Sequence, residues 1–226
     1  MPSGAAIVIM AKQPQVGRSK SRLCPPLRPE QAAALAEALL LDTLALVAGL
    51  DGVRLAVAIT PSEASPYFAG IAPAGTLLLP VAGKHLGDCL SQAMGHLLNL
   101  GYSRVLALNA DGPSLPPAYL WQVIRALERH DLALGPSQDG GYYTIGMRRL
   151  HPALFQNIAW STSQVLAQTL NIAAASGLST FLAPPWYDID TIQDLQRLQA
   201  SLPALPASSL IHTRRFLKGD LPEIEF

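Results

Sequence analysis

Three stretches of this chain carry side chains whose types and spacing suit phosphate and metal chemistry. The first runs from Ala11 to Leu23 and reads Ala-Lys-Gln-Pro-Gln-Val-Gly-Arg-Ser-Lys-Ser-Arg-Leu. Residues 1–29 hold five basic side chains (Lys12, Arg18, Lys20, Arg22 and Arg28) and no acidic one. Such an imbalance needs either a counter-anion or open solvent. Gly17 lets backbone N–H groups approach a phosphate, and Lys12, Arg18, Lys20 and Arg22 supply charge. A solvated loop with incidental charges is the competing reading. The spacing matches neither a Walker A loop nor a GxGxxG fingerprint.

The second stretch, Arg104 to Pro113, is an apolar run that delivers Asp111 into an Asp-Gly-Pro turn. A carboxylate there suits Mg²⁺ or Mn²⁺, hard ions that take oxygen ligands and share them with substrate phosphates. An Asp before Gly also caps its own turn, which is the plainer use. The third, Trp186 to Leu195, contains Asp188, Asp190 and Asp194 around Thr191. Asp190 or Thr191 is a natural helix N-cap, with Asp194 as first-turn acid. Asp188 is not needed for that task, and alternate residues of an extended segment point the same way. Asp111, Asp188 and Asp190 are therefore the expected metal ligands.

A further run, Gly135 to Tyr143, contains Asp139-Gly140-Gly141. It reads either as a hairpin turn or as a backbone platform under a ligand, with Asp139 bonding a hydroxyl. Trp160-Ser161-Thr162 opens a helix. The histidines show no metal-ligand spacing, no G-x-S-x-G elbow is present, and neither Cys24 nor Cys89 has an evident base, which argues against covalent nucleophilic catalysis.

These residues need a scaffold, and its pattern is legible. Strands are expected at Ala5–Met10, Val53–Thr60, Thr76–Val81, Arg104–Asn109, Leu132–Leu134, Tyr142–Met147 and Thr180–Ala183. Helices are expected over Glu30 to about Leu50, Leu86 to about Leu100, Pro116 to about His130, Ser161 to about Ser176, and Thr191–Leu202. Residues 11–29 and 61–76 read as loops. Strand–helix alternation predicts an α/β fold with a mostly parallel sheet and right-handed crossovers. In such sheets ligands bind beyond the carboxyl ends of the strands, where the basic loop and Asp111 both lie. Residues 1–202 are expected to form one domain, and 203–226 a tail packing on it or on a partner subunit, as in a homodimer.

Of the 226 residues, half are hydrophobic and 14% charged, with formal net charge zero. No global field recruits nucleic acid or anionic membrane, so neither is an expected partner. Two cysteines without disulfide spacing suit a reducing cytoplasm. The short apolar start reads as a strand rather than a signal peptide, and no apolar run is expected to approach the roughly 20 residues of a membrane span.

The motifs together resemble a bacterial family of glycosyltransferase-A-like transferases, associated with radical-SAM and selenoprotein domains and with arsenosugar biosynthesis. The resemblance rests on Ala11–Leu23 against A-K-x-P-x-x-G-x-x-K-[ST]-R-L, and on Leu39–Leu44 against L-x-x-D-T-L. It rests also on Ala110–Pro113 with Ala for the usual Ser, on Gly135–Tyr143, on Trp160-Ser161-Thr162, and on Tyr187–Leu195. It covers about residues 5–198. In Gly87-Asp88-Cys89-Leu90, Cys89 stands where the family has Arg, which puts one phosphate or acceptor contact in doubt.

The resemblance implies a three-layer, Rossmann-like nucleotide-diphospho-sugar transferase fold of the GT-A type. It implies that the first loop binds donor phosphates and that the strand-end Asp binds metal. On it, Lys20, Arg22 and Asp111 are the expected catalytic residues, and Lys12, Gly17, Arg18, Lys20 and Arg22 the phosphate site. Asp139, Gly140, Gly141 and Trp160 are the expected substrate contacts, and Mg²⁺ or Mn²⁺ the cofactor. The expected reaction is glycosyl transfer from a nucleotide-sugar to a small-molecule acceptor. Nucleotidyl transfer from an NTP, with release of pyrophosphate, is the alternative, and a non-catalytic nucleotide-binding module the third.

Overall fold

The computed structural model describes residues 4–219; residues 1–3 and 220–226, including the acidic end of the expected tail, lie outside the described residues. Seven strands form one sheet: β1 (Ala5–Ala11), β2 (Val53–Ile59), β3 (Leu77–Pro80), β4 (Arg104–Leu108), β5 (Leu132–Pro136), β6 (Tyr142–Met147) and β7 (Thr180–Leu182). Their order is β3-β2-β1-β4-β6-β5-β7. Only β6 runs against its neighbours β4 and β5; every other pairing is parallel. The α/β class and the mostly parallel sheet expected from the alternation are what the chain forms.

Continuous apolar runs make these strands because both faces are covered. Ile7 and Ile9 of β1 face one core with Leu40, Leu44 and Val47, whereas Ala6 and Val8 face another with Leu90, Ala93 and Met94. The first core is covered by α1 (Pro29–Ala48), α2 (Ser65–Ile71) and α4 (Pro117–Ala126), the second by α3 (Leu86–Asn99) and α5 (Val165–Ala175). Small residues on the α3 side (Ala6, Ala56, Ala58, Ala93, Ala107) let that helix lie close to the sheet.

Helix α1 is apolar on two sides. Leu35, Leu39 and Ala38 join a third cluster with Leu195 and Leu198 of α6 (Ile192–Ser201) and Phe216 of α7 (Ile211–Gly219). This corrects the expectation that no apolar run nears membrane-spanning length. Pro29–Ala48 is long and apolar enough by composition, and 56% of its most apolar window is buried within the protein. Serving two cores, rather than one amphipathic stripe, accounts for its hydropathy.

Several elements were not legible. Residues 61–76, expected as loop, contain a 3-10 turn at Ser62–Ala64 and α2, whose Phe68 is fully buried. Pro152–Phe155 forms another 3-10 turn. In the tail, α7 packs on α1, where the buried carboxylate of Asp42 accepts from His212 N (3.0 Å) and Thr213 N (2.7 Å). Helix α5 begins at Val165 rather than Ser161, and Ser161, at φ 64°, stands outside helical geometry.

Candidate functional site

Register brings the basic loop and Asp111 together. Ile9 of β1 pairs with Leu108 of β4, so the segments leaving both strands start at the same sheet edge. Between them lies a cavity of about 430 Å³, whose charged lining is Lys12, Arg18, Lys20, Arg22, Asp111 and Asp190. Ser19 and Ser21, neither of them an expected contact, also line it. The loop is shaped locally: Arg18 N and Ser19 N donate to Gln15 O, and Gln15 N donates to Ser19 Oγ at 2.9 Å. Gly17, at φ 76°, lets the chain turn there and is exposed; it does not line the cavity.

Lys20 lines the cavity and is paired twice. Its Nζ lies 3.0 Å from Asp111 Oδ1 and 2.8 Å from Asp190 Oδ1, and its side chain is only 7% exposed. Burial by itself would lower the ammonium's pKa; the two carboxylates outweigh it and hold it above the ordinary lysine value. Asp190 is free for this because the capping of α6 falls to its neighbours. Thr191 Oγ1 accepts from Asp194 N, and Asp194 Oδ2 accepts from Thr191 N. The N-cap alternative for Asp190 is thereby resolved in favour of Thr191.

Asp188 is placed differently. Asn109 Nδ2 donates to its Oδ1 at 2.7 Å and Ser137 Oγ to its Oδ2 at 3.3 Å. Burial pushes its carboxyl up to about 7 against the Asn109 hydrogen bond, and the charges of Asp111, Asp190 and Asp139 add to the rise. Asp188 thus joins the β4 exit to the β5 exit. Ile189 N completes the tie by donating to Asp111 O at 3.0 Å. Among the described residues no three acidic, histidine or cysteine side chains gather as a metal cluster. Asp111 and Asp190 nevertheless converge on one cation. A pair of carboxylates that leaves room for water and phosphate oxygens is a usual setting for Mg²⁺, so this donor set fits Mg²⁺ or Mn²⁺ through Asp111 and Asp190. Both oxygens of Asp188 are already engaged.

The remaining expected residues lie apart from the cavity lining. Asp139 Oδ1 accepts from Gly141 N at 2.9 Å, the hairpin-turn use, although its charge is felt at Asp188. Gly140, at φ 88°, packs under the backbone of Ser163, leaving no room for a side chain. Gly141 spans this turn. The Trp160 indole lies over Gly87 at the start of α3, and its buried Nε1 has no hydrogen-bond partner among the described residues. Cys89, a residue of α3, is buried on the face of that helix turned to the sheet; burial and Asp88 raise its thiol pKa while nearby Lys12 opposes the rise.

Two residues that motif spacing left without a role act on the site. Thr43 Oγ1 bonds both Leu39 O (2.8 Å) and Ala110 O (3.2 Å), pinning the turn before Asp111 onto α1. Asn109 holds Asp188. A polar residue closing a buried strand is a detectable signal; that it would face residue 188 is not.

Residues 43–162 match the profile of a family described as "Uncharacterized protein conserved in bacteria (DUF2064)". No match is found among curated proteins. Among solved structures, a Desulfovibrio desulfuricans protein with the provisional description nucleotide-diphospho-sugar transferase is 28% identical. It superposes with a TM-score of 0.87 over 96% of this chain and 94% of its own. A CMP:2-keto-3-deoxy-manno-octonic acid synthetase solved with CTP is 13% identical, with a TM-score of 0.58 over 89% of this chain and 99% of its own. A Mycobacterium tuberculosis protein solved with manganese is 19% identical, with a TM-score of 0.55 over 88% and 99%. The latter two share the fold. The three-layer architecture expected from the motifs is therefore that of nucleotide-diphospho-sugar transferases and cytidylyltransferases.

Proposed function

Since the chain belongs to the DUF2064 family, we propose that it is a transferase acting on a nucleotide-linked donor, and that the transferred group is a sugar from a nucleotide-sugar. The observation that carries this reading is one cavity lined by four cationic side chains and two carboxylates. Lys12, Arg18 and Arg22 bind the diphosphate oxygens, with Lys20 joining them. Asp111 and Asp190 hold a divalent cation, which when bound supplies positive charge against the leaving diphosphate. Most of the rate enhancement comes from such preplaced charge, where one well-aimed donor is worth ~3 kcal/mol. Thr43 pins the turn before Asp111, Asn109 and Ser137 hold Asp188 two residues before Asp190, and Asp139 orients the sugar or acceptor from the next loop. Within the family, the motif set favours the radical-SAM and arsenosugar-associated branch. The similar Desulfovibrio protein's description and the manganese held by a protein of the same fold support this reading.

A second reading, nucleotidyl transfer from an NTP, is favoured by the number of cations, which suits a triphosphate as well as a diphosphate; a synthetase of the same fold binds CTP. A thermal-shift panel of NTPs and nucleotide-sugars, with and without Mn²⁺, separates the two. A ligand at about 100 times its Kd adds ~2.7 kcal/mol, a shift of a few degrees. Stabilisation by nucleotide-sugars is expected; a response to NTPs alone replaces the first reading with the second, and no response to either rejects both.

A further inference from the structure

We propose that Lys20 is a tethered cation that holds the divalent-metal position between Asp111 and Asp190 until phosphate draws it away, so that metal and nucleotide must enter together. This rests on the reading of Asp111 and Asp190 as the metal-holding pair.

The ammonium contacts both carboxylates, at 3.0 and 2.8 Å, and is almost fully covered, whereas the Asp111 and Asp190 side chains are 44% and 40% exposed. The carboxylates thus keep open faces while their point of convergence is filled. A divalent ion bound by the same two oxygens must take that point, and two cations cannot share it: like charges a few ångströms apart in a partly buried setting repel strongly. Metal binding therefore requires Lys20 to leave.

The cavity supplies a destination. Lys12, Arg18 and Arg22 make no ion pair among the described residues, so three of the four cations on this wall have no carboxylate partner while Lys20 has two. A polyphosphate seated on those three lies within the same small cavity as the Lys20 ammonium and competes with the carboxylates for it. The residue type suits such a transfer. A lysine is a point charge on a flexible four-carbon stem, without the planar fork that would fix an arginine to one partner. Its backbone is left-handed, at φ 50° and ψ 36°, where it leads into the turn Ser21–Leu23. This is a conformation non-glycine residues seldom keep unless their surroundings enforce it; Leu23 N donates to Lys20 O at 2.9 Å, and the double ion pair holds the side chain.

The consequence is reciprocal coupling. Phosphate that removes Lys20 improves the metal site, and metal that displaces Lys20 frees a phosphate ligand, each by the same factor. Without nucleotide the protein binds metal weakly. The alternative is a fixed structural bridge, in which Lys20 shapes the carboxylates for the metal; that arrangement predicts effects of opposite sign.

The test uses the full chain, as wild type, Lys20→Met, Lys20→Gln and Asp111→Asn. Mn²⁺ affinity is read from the EPR signal of free ion without nucleotide, and pyrophosphate affinity by calorimetry in EDTA. Both Lys20 variants are expected to bind Mn²⁺ about tenfold more tightly than wild type, within the usual range of coupling factors, and to bind pyrophosphate more weakly. Two neutral replacements guard against one that misfolds, and circular dichroism checks each. Mn²⁺ affinity unchanged or reduced in the folded variants, while still lost in Asp111→Asn, overturns the role of Lys20 alone. Unchanged pyrophosphate affinity overturns it too. Mn²⁺ binding that is indifferent to Asp111→Asn, or absent throughout, rejects the metal site itself.

Discussion

Thr43 carries a hydroxyl into the core, 1% exposed, and spends it on two carbonyls, one of them that of Ala110. Replacing it with Val keeps the shape and removes the donor. Thr43→Val is expected to cost about 1 kcal/mol of stability, as for a single buried hydrogen bond, read from the urea midpoint. Because the lost bond anchors the residue before Asp111, Mn²⁺ affinity in the same variant should fall as well; an unchanged affinity would show that the turn holds itself. The basic loop and the strand-end Asp111 were legible from sequence because their signals are local: a run of cations without acids, and an apolar strand ending in Asp-Gly-Pro. The partner of each was not. That Lys20 would meet Asp111 and Asp190 depends on side chains 91 and 170 positions away in the chain, which spacing along one strand or helix does not encode. The same holds for Asn109 and Ser137, which bond Asp188 from the exits of two other strands.

Elements were read where one periodicity dominated and missed where packing overrode it. The parallel strands announced themselves as apolar runs. Helix α2 did not, because Pro, Ser and Gly around Ser65–Ile71 mark a loop, and its hold on the fold is the burial of Phe68. Helix α7 was hidden by the prolines that precede it. Its first N–H groups are capped by the Asp42 carboxylate on α1 rather than by a residue of its own segment. Asp42→Ala is expected to destabilise the protein by about 1–2 kcal/mol, the cost of a lost N-cap, with increased proteolysis near residues 205–219 as the local readout. The edge strand β7 is fastened by another carboxylate: Asp131 accepts from Ser179 N, Ser179 Oγ and Arg148 Nη2. Ser179 holds this carboxyl below the usual range, with Arg148 adding to the effect. A folded pKa below the unfolded value gives stability that is complete above about pH 4 and is lost as pH falls through the folded value. The gap in urea midpoint between wild type and Asp131→Asn should therefore be present at pH 6 and shrink by pH 3; the group is exposed, so the gap is small.

At the scale of the whole molecule, charge is balanced but not evenly spread. The chain carries 16 basic and 16 acidic residues, yet residues 1–29 hold no acid and the carboxylates of Asp111 and Asp190 line the same cavity as its basic side chains. Beyond a Debye length of roughly 10 Å at 0.1 M salt, opposite charges on a neutral body largely cancel. A nucleotide approaching from solution therefore meets little net field, and its capture is not steered as it is by strongly charged enzymes. On the proposed reading, once inside it sits on Lys12, Arg18 and Arg22, where salt competes directly for the phosphates. The two stages thus respond differently to ionic strength. Raising salt from 20 to 200 mM should leave the association rate of a fluorescent nucleotide within about twofold and place most of the affinity loss in faster dissociation, which stopped-flow mixing resolves. Arg22→Glu should then weaken binding through dissociation and flatten the salt dependence, because one local cation fewer is screened. A steep fall in the association rate of the wild type would instead mean that the basic loop projects its own field past the carboxylates. The local balance between Lys20 and its two partners would then count for less than the geometry assigns it.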